Sequence, residues 1–247
     1  MPLLLILFAC GATPADPPTP VSAPAPVAVE AHGAPGETHT VHGRPHHGGD
    51  HATVDHSFAD AEKWSEVFDD PERDAWQMPV VLVGALSIAP GSTVADIGAG
   101  TGYFNPHLSA AVGPDGHVIA VDIEASLVEW MTKRAARDGT ANVSPRLGTA
   151  DNPGLKPAEV DLVLLVDTYH HIGERVAYFT RLLQTVRPGG RLVVVDFKPG
   201  DLPVGPPEAH RIPDAKVVEE LVAAGWADSG GLDLLPYQFV RVVSRPE

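Results

Sequence analysis

The sequence predicts an α/β fold built on an open, mostly parallel sheet. Three observations carry this. Strand-like and helix-like segments alternate from Val94 to Val243. Leu162–Val166 is an unbroken apolar run, as in a strand buried on both faces. The first strand passes directly into a glycine-rich turn, Asp96-Ile97-Gly98-Ala99-Gly100-Thr101-Gly102-Tyr103-Phe104, and a helix opens near Tyr103. Glycines at alternate positions let the backbone approach a ligand without Cβ interference. The helix behind them offers unpaired N–H groups and a positive dipole end. Such a turn holds a nucleotide-like ligand at the carboxyl end of the first strand of an open sheet.

Spacing separates two readings of this turn. A dinucleotide fingerprint, G-x-G-x-x-G or G-x-G-x-x-A, needs a small residue at position 103. That position is Tyr103, and the third glycine falls one residue earlier, at Gly102. The pattern D-x-G-x-G-x-G resembles the first motif of class I S-adenosylmethionine-dependent methyltransferases. A nicotinamide-dependent protein is the less favoured alternative. Val186-Arg187-Pro188-Gly189-Gly190-Arg191-Leu192 resembles that family's L-x-P-G-G-x-L motif, and Val166-Asp167-Thr168-Tyr169-His170-His171-Ile172 resembles its fourth motif. The resemblance covers residues 70–244. It implies a Rossmann-like, seven-stranded, mostly parallel sheet with helices on both faces and an antiparallel last strand inserted between the fifth and sixth.

Composition bounds the partners. The 247 residues carry a net charge of −15, with 32 acidic against 17 basic side chains. A nucleic-acid partner needs a basic face, so that class is excluded. The one cysteine, Cys10, rules out an internal disulfide and a cysteine-based metal site.

Residues 1–56 read as a different material. Leu3–Ala9 is a short apolar run that ends on Cys10, and it resembles the lipobox of bacterial lipoproteins. That resemblance implies a signal over 1–10, a lipid anchor at Cys10 and a place at the bacterial cell envelope. An ordinary apolar N-terminus, with the domain in the cytoplasm, is the other reading. Residues 11–56 are rich in Pro, Ala, Gly, Thr and His and too poor in large apolar groups to offset ordering entropy, so they read as a tether. His32, His39, His42, His46, His47, His51 and His56 lie here. At that density they are candidates for weak divalent-metal capture, although a solvated linker is the preferred reading.

The domain spans 57–247. Phe58, Trp64, Val67 and Phe68 among acids predict a short amphipathic helix. Asp70-Pro71 caps the next helix, and Pro79 breaks it before an apolar helix over Val80–Leu86. The expected strands are Val94–Ile97, His117–Val121, Val143–Leu147, Val160–Val166 and Arg191–Phe197, followed by two near Ala227–Leu235 and Gln238–Val243. The expected helices are Phe104–Val112, Ser126–Asp138, Arg175–Val186 and Ala215–Ala224.

Site residues follow from these positions. Asp122 closes the second strand twenty residues after Gly102, where a carboxylate can accept two hydrogen bonds from a ribose diol. The resemblance implies that Asp96, Gly98, Gly100, Gly102, Tyr103, Asp122, Ile123, Asp151 and Asp167 bind S-adenosyl-L-methionine. It places Asp151 near the adenine amine, with Asn152 as the alternative there. Two histidines at the carboxyl end of a central strand sit where ligands bind in open α/β sheets, and an imidazole can take a proton from a substrate. His170, His171 and Asp196 are therefore the candidate catalytic residues, with His170 ranked ahead on the substrate side. Asp167 and Asp196 are expected to face each other across the sheet edge. The Mg²⁺-dependent catechol-type pattern adds an Asn after the second acid; Phe197 stands there, so no metal is assigned. Arg73, Trp76, Gln77, His210 and Arg211 either line the site or only pack. The implied activity is methyl transfer to a small-molecule acceptor at O, N or S. The rival from another class is an envelope-tethered, non-catalytic binding lipoprotein of the same fold.

Overall fold

The computed structural model describes Phe58 and residues 60–247. The expectations for Cys10 and for the histidine-rich stretch fall outside these residues. Helix α1, Ala61–Phe68, starts where Asp60 accepts the Lys63 amide at 3.1 Å. Asp70 caps a 3₁₀ turn over Pro71–Arg73, which runs into α2, Asp74–Gln77. Met78 adopts φ +47° and ends that run. Pro79 then opens α3, Pro79–Ala85, at a first-turn position where no N–H is needed.

The core alternates β1 (Thr93–Ile97), α4 (Asn105–Val112), β2 (His117–Asp122), α5 (Ala125–Asp138), β3 (Val143–Leu147) and β4 (Val160–Val166). It continues with α6 (Arg175–Leu183), β5 (Val186–Phe197), α7 (Asp214–Ala223), β6 (Ala227–Leu232) and β7 (Gln238–Ser244). The strand order is β3-β2-β1-β4-β5-β7-β6. β1 to β5 are parallel, and β7 runs antiparallel between β5 and β6. The expected seven-stranded, mostly parallel sheet is therefore the one observed.

Strand parity builds two cores. Ala95, Ile97, Val163, Leu165 and Val194 face Tyr178, Phe179 and Leu182 of α6 and Val217 and Leu221 of α7. Their neighbours Val94, Leu162, Leu164 and Val193 face Leu82 and Leu86 around α3, Leu108 of α4 and Met131 of α5. Successive side chains alternate sides, so the central strands are apolar on both faces along most of their length.

Boundaries depart from the sequence reading at two places. The helix expected to reach Val186 ends at Leu183, and Pro188-Gly189-Gly190 lies inside β5. Val160 pairs with Val186, but the next pair is Leu162 with Arg191, so β5 bulges here. A Cβ on Gly190 would stand 2.7 Å from the Asp161 carbonyl oxygen, which explains the glycine. α4 opens at Asn105 and not at Tyr103 or Phe104. Two tight turns fill the gap, Gly102 N–H to Ala99 O at 2.9 Å and Asn105 N–H to Gly102 O at 3.1 Å.

Candidate functional site

The carboxyl ends of β1, β2, β4 and β5 form the edge on which the predicted site residues converge. Gly98, Gly100 and Gly102 have φ of +74°, +59° and +82°, a region open to glycine at little cost. A Cβ on Gly98 would lie 2.2 Å from Thr168 Oγ1, so β4's exit allows no side chain there. The loop is pinned from below, where the Gly98 and Ala99 amides both donate to Val121 O, at 2.9 and 3.0 Å.

Two carboxylates flank this cradle. Asp122 accepts the Gly100 amide at 2.8 Å on one oxygen and the Glu124 amide at 3.0 Å on the other. Burial pushes its carboxyl above the ordinary range, against the pull of those backbone donors. Ile123, beside it, is 57% exposed and offers an apolar surface. Asp96 is 3% exposed and has no hydrogen-bond partner among the described residues. Burial, then the nearby Asp122 charge, push its carboxyl up to about 7, and Arg73 opposes them.

Past β4, the left-handed residue Asp167 (φ +54°) receives Gln238 Nε2 on Oδ1 and Arg73 Nη2 on Oδ2 at 3.5 Å. His170 is 3% exposed, and its Nδ1 lies 2.9 Å from both oxygens of Asp196. Burial disfavours the imidazolium, but the hydrogen bond and charge of Asp196, with Asp167 behind, outweigh it and raise the His170 pKa. His171 is half-buried, its ring 4.2 Å from that of His170 and 5.8 Å from Phe58. Asp196 has no exposure and also accepts the Phe197 amide at 2.8 Å. The sequence places it among the catalytic residues; its full enclosure makes it a positioning residue that orients His170. Asp167 also approaches the His170–Asp196 pair, so the two acids do share the sheet edge. Among the described residues, no group of three or more His, Cys, Asp or Glu is arranged to hold a metal ion.

The segment before β1 folds over this edge. Phe68 packs on Gly100, 3.2 Å from where a Cβ would sit. Asp69 accepts Thr101 Oγ1 at 3.0 Å and Arg134 Nη1 at 2.7 Å. The Tyr103 hydroxyl donates to Asp74, and its ring lies under the Arg73 guanidinium at 4.2 Å. Trp76 faces Phe197 and Tyr237 at 6.0 and 6.5 Å. Asp151 is exposed on the turn after β3, held by the Thr149 hydroxyl at 2.7 Å. Arg211 is tied to its own loop. It donates to Pro206 O at 2.8 Å and Gly200 O at 2.6 Å and so staples its own loop over Phe197. Sequence reasoning missed Asp69, Thr101, Arg134 and Gln238; Thr101, inside the glycine turn, and Asp69, beside the Asp70-Pro71 cap, lay near recognisable motifs.

A glycine cradle, a strand-end acid after β2 and a buried His–Asp pair after β4 define an α/β enzyme of class I methyltransferase layout. Residues 88–227 match a family model described as "Methyltransferase domain". That is more than half of the chain, and the protein belongs to this methyltransferase family. It is similar to an arsenite methyltransferase of Halobacterium salinarum, 32% identical over 44% of this chain and 28% of that one. It is also similar to a ubiquinone/menaquinone biosynthesis C-methyltransferase of Ectopseudomonas mendocina, 30% identical over 57% and 60% of the two chains. The chain thus spans less than two thirds of these curated relatives. A solved S-adenosylmethionine-dependent methyltransferase from Aquifex aeolicus superposes with a TM-score of 0.72 at 25% identity, covering 75% of this chain and 98% of that one. The domain is that of an S-adenosylmethionine-dependent methyltransferase.

The residues present fit that cofactor. The buried Asp96 carboxyl, without a hydrogen bond among the described residues, is an acceptor that a cationic amine would satisfy, and each Asp122 oxygen keeps lone-pair capacity for a diol. Two results are expected. Asp122→Ala weakens cofactor binding about 10- to 100-fold by calorimetry, the loss of one or two hydrogen bonds to a charged group. Asp96→Asn weakens it as well but raises the melting temperature, more at pH 8 than at pH 5 and not at pH 3. The sign follows from the raised pKa: stability from the protonated form is complete below the ordinary value of 3.8 and is lost as pH rises through about 7. A neutral amide escapes that loss.

Proposed function

We propose that this enzyme methylates a small-molecule acceptor whose O, N or S nucleophile gives up a proton to His170. The observation that carries the reading is the buried His170–Asp196 pair. A carboxylate only accepts, so it holds the proton on Nδ1 and leaves Nε2 as the basic nitrogen. Asp196 thereby keeps the imidazole in one tautomer and strengthens it as a base. S-adenosylmethionine, when bound, supplies a methyl group already activated on sulfur. The protein's task is then alignment, dehydration and removal of the acceptor's proton. Asp96, Asp122 and the three glycines would hold the cofactor; Asp167 and His170 would face the reacting end. The relatives' names support a small acceptor, since they specify arsenite and ubiquinone/menaquinone biosynthesis.

The test uses the full chain with S-adenosylmethionine labelled in its methyl group and a panel of phenols, amines and thiols. Label transfer to one class, lost in His170→Ala with cofactor affinity kept, supports the reading. Undiminished turnover by that variant removes His170 as the base. For the N-terminus we propose lipid anchoring at Cys10 and an envelope location, supported by the apolar run that ends on the chain's one cysteine. Incorporation of labelled fatty acid in cells, absent from Cys10→Ser, is the expected result; equal labelling of both overturns it.

A further inference from the structure

Four side chains link the leading segment to the sheet edge, and the end groups force the direction of the chain. Arg73 Nε and Nη2 donate to Gln77 Oε1 at 3.3 and 3.1 Å. A guanidinium has no acceptor, so the Gln77 oxygen must face it. The Gln77 amide nitrogen then turns away and donates to Gln238 Oε1 at 2.7 Å. That orients the Gln238 amide nitrogen onto Asp167 Oδ1. Gln77 and Gln238 are 0% and 1% exposed, so a broken link would leave buried polar groups unpaired.

We propose that Gln77 and Gln238 are positioning residues of the methyl-transfer site, through which the closed leading segment holds Asp167 in its ionised form. An ionised Asp167 accepts on both oxygens, from Gln238 and from Arg73. A protonated one must place an O–H against a donor, and the relay has no orientation that satisfies both ends. The backbone of Asp167, left-handed in a non-glycine residue, marks a conformation that surrounding contacts must enforce. The groups facing it come from four elements. Arg73 on the 3₁₀ turn, Gln238 on β7 and His170 after β4 favour the carboxylate, and Asp196 on β5 disfavours it. Burial is the largest effect and pushes Asp167 up to about 7, so its charge near neutral pH hangs on these donors. Arg73 and Gln77 belong to the same short segment, 3₁₀ turn into α2, and leave together if it lifts. Closure and the charge at the reacting edge are then one event. This inference rests on the closed geometry and not on the acceptor or on His170 as base.

The experiment is a carboxyl-¹³C NMR titration of the full chain labelled at aspartate, with the Asp167 signal identified by its loss in Asp167→Asn. Gln77→Leu and Gln238→Leu are each expected to raise the Asp167 midpoint by about half a pH unit or more. The double variant should go no further than the larger single shift, because both break one chain. An unmoved midpoint in Gln77→Leu, in protein that still melts in one cooperative transition, overturns the proposal; so do two shifts that simply add. Gln77 lies outside the sheet, so its variant decides the question even if Gln238→Leu does not fold.

Discussion

Gly98→Ala is expected to lower cofactor affinity at least about 100-fold, close to 3 kcal/mol, and to lower the melting temperature by several degrees. Two costs combine. An alanine at φ +74° gives up about 1–2 kcal/mol to its own backbone. Its Cβ would also stand 2.2 Å from Thr168 Oγ1 and 2.5 Å from Thr168 Cγ2. Thr168 is not free to turn away without loss, since its hydroxyl donates to Val166 O at 2.9 Å. The loop must therefore lift or β4's exit must shift, and either displaces the surface that meets the cofactor. Gly98→Ala with Thr168→Gly removes the contact and leaves the dihedral cost, so partial recovery of affinity is expected. Calorimetry with S-adenosylhomocysteine measures both. An unchanged affinity in the single variant would mean that the cofactor does not lie on this loop.

Asp196→Asn is expected to cut turnover by about 10²- to 10⁴-fold while leaving cofactor affinity within about twofold. The substitution keeps size and burial but takes away the charge that holds the His170 proton on Nδ1. The pH profile gives a second readout. A general base acts when neutral, so activity in the parent rises as pH passes the elevated His170 pKa; in the variant that rise moves to lower pH. Stability follows linkage. A histidine whose folded pKa is raised contributes stability that is complete below its ordinary 6.5 and is lost as pH rises through the folded value. The gap in melting temperature between parent and variant should thus be widest in acid. A variant with a parental pH profile would assign Asp196 to packing alone.

Period and punctuation made most of the fold readable. Leu162–Val166 and Val193–Val195 are apolar at every position because two helical layers cover them, and that composition shows without coordinates. Asp96, the three glycines, Asp122 and the His170–His171 pair are strand-end residues, and their address in the chain is also their address at the sheet edge. The boundaries of α6 and β5 failed for a local reason: Pro188-Gly189-Gly190 signals a break equally well as a helix stop or as a bulge, and only pairing with Val160 and Leu162 selects the bulge.

The sequence by itself determined the α/β alternation, the glycine loop and the acids at the strand ends, because each depends on neighbours within a few residues. Tertiary structure alone decided which of those groups act together. His170 meets Asp196 across 26 positions, Asp69 meets Arg134 across 65, and Gln77 meets Gln238 across 161. Parallel strand order and the closure of the leading segment bring these pairs into contact. Charge, tautomer and orientation at the site depend on such contacts, and hydrogen bonds of that range leave no periodic trace along the chain.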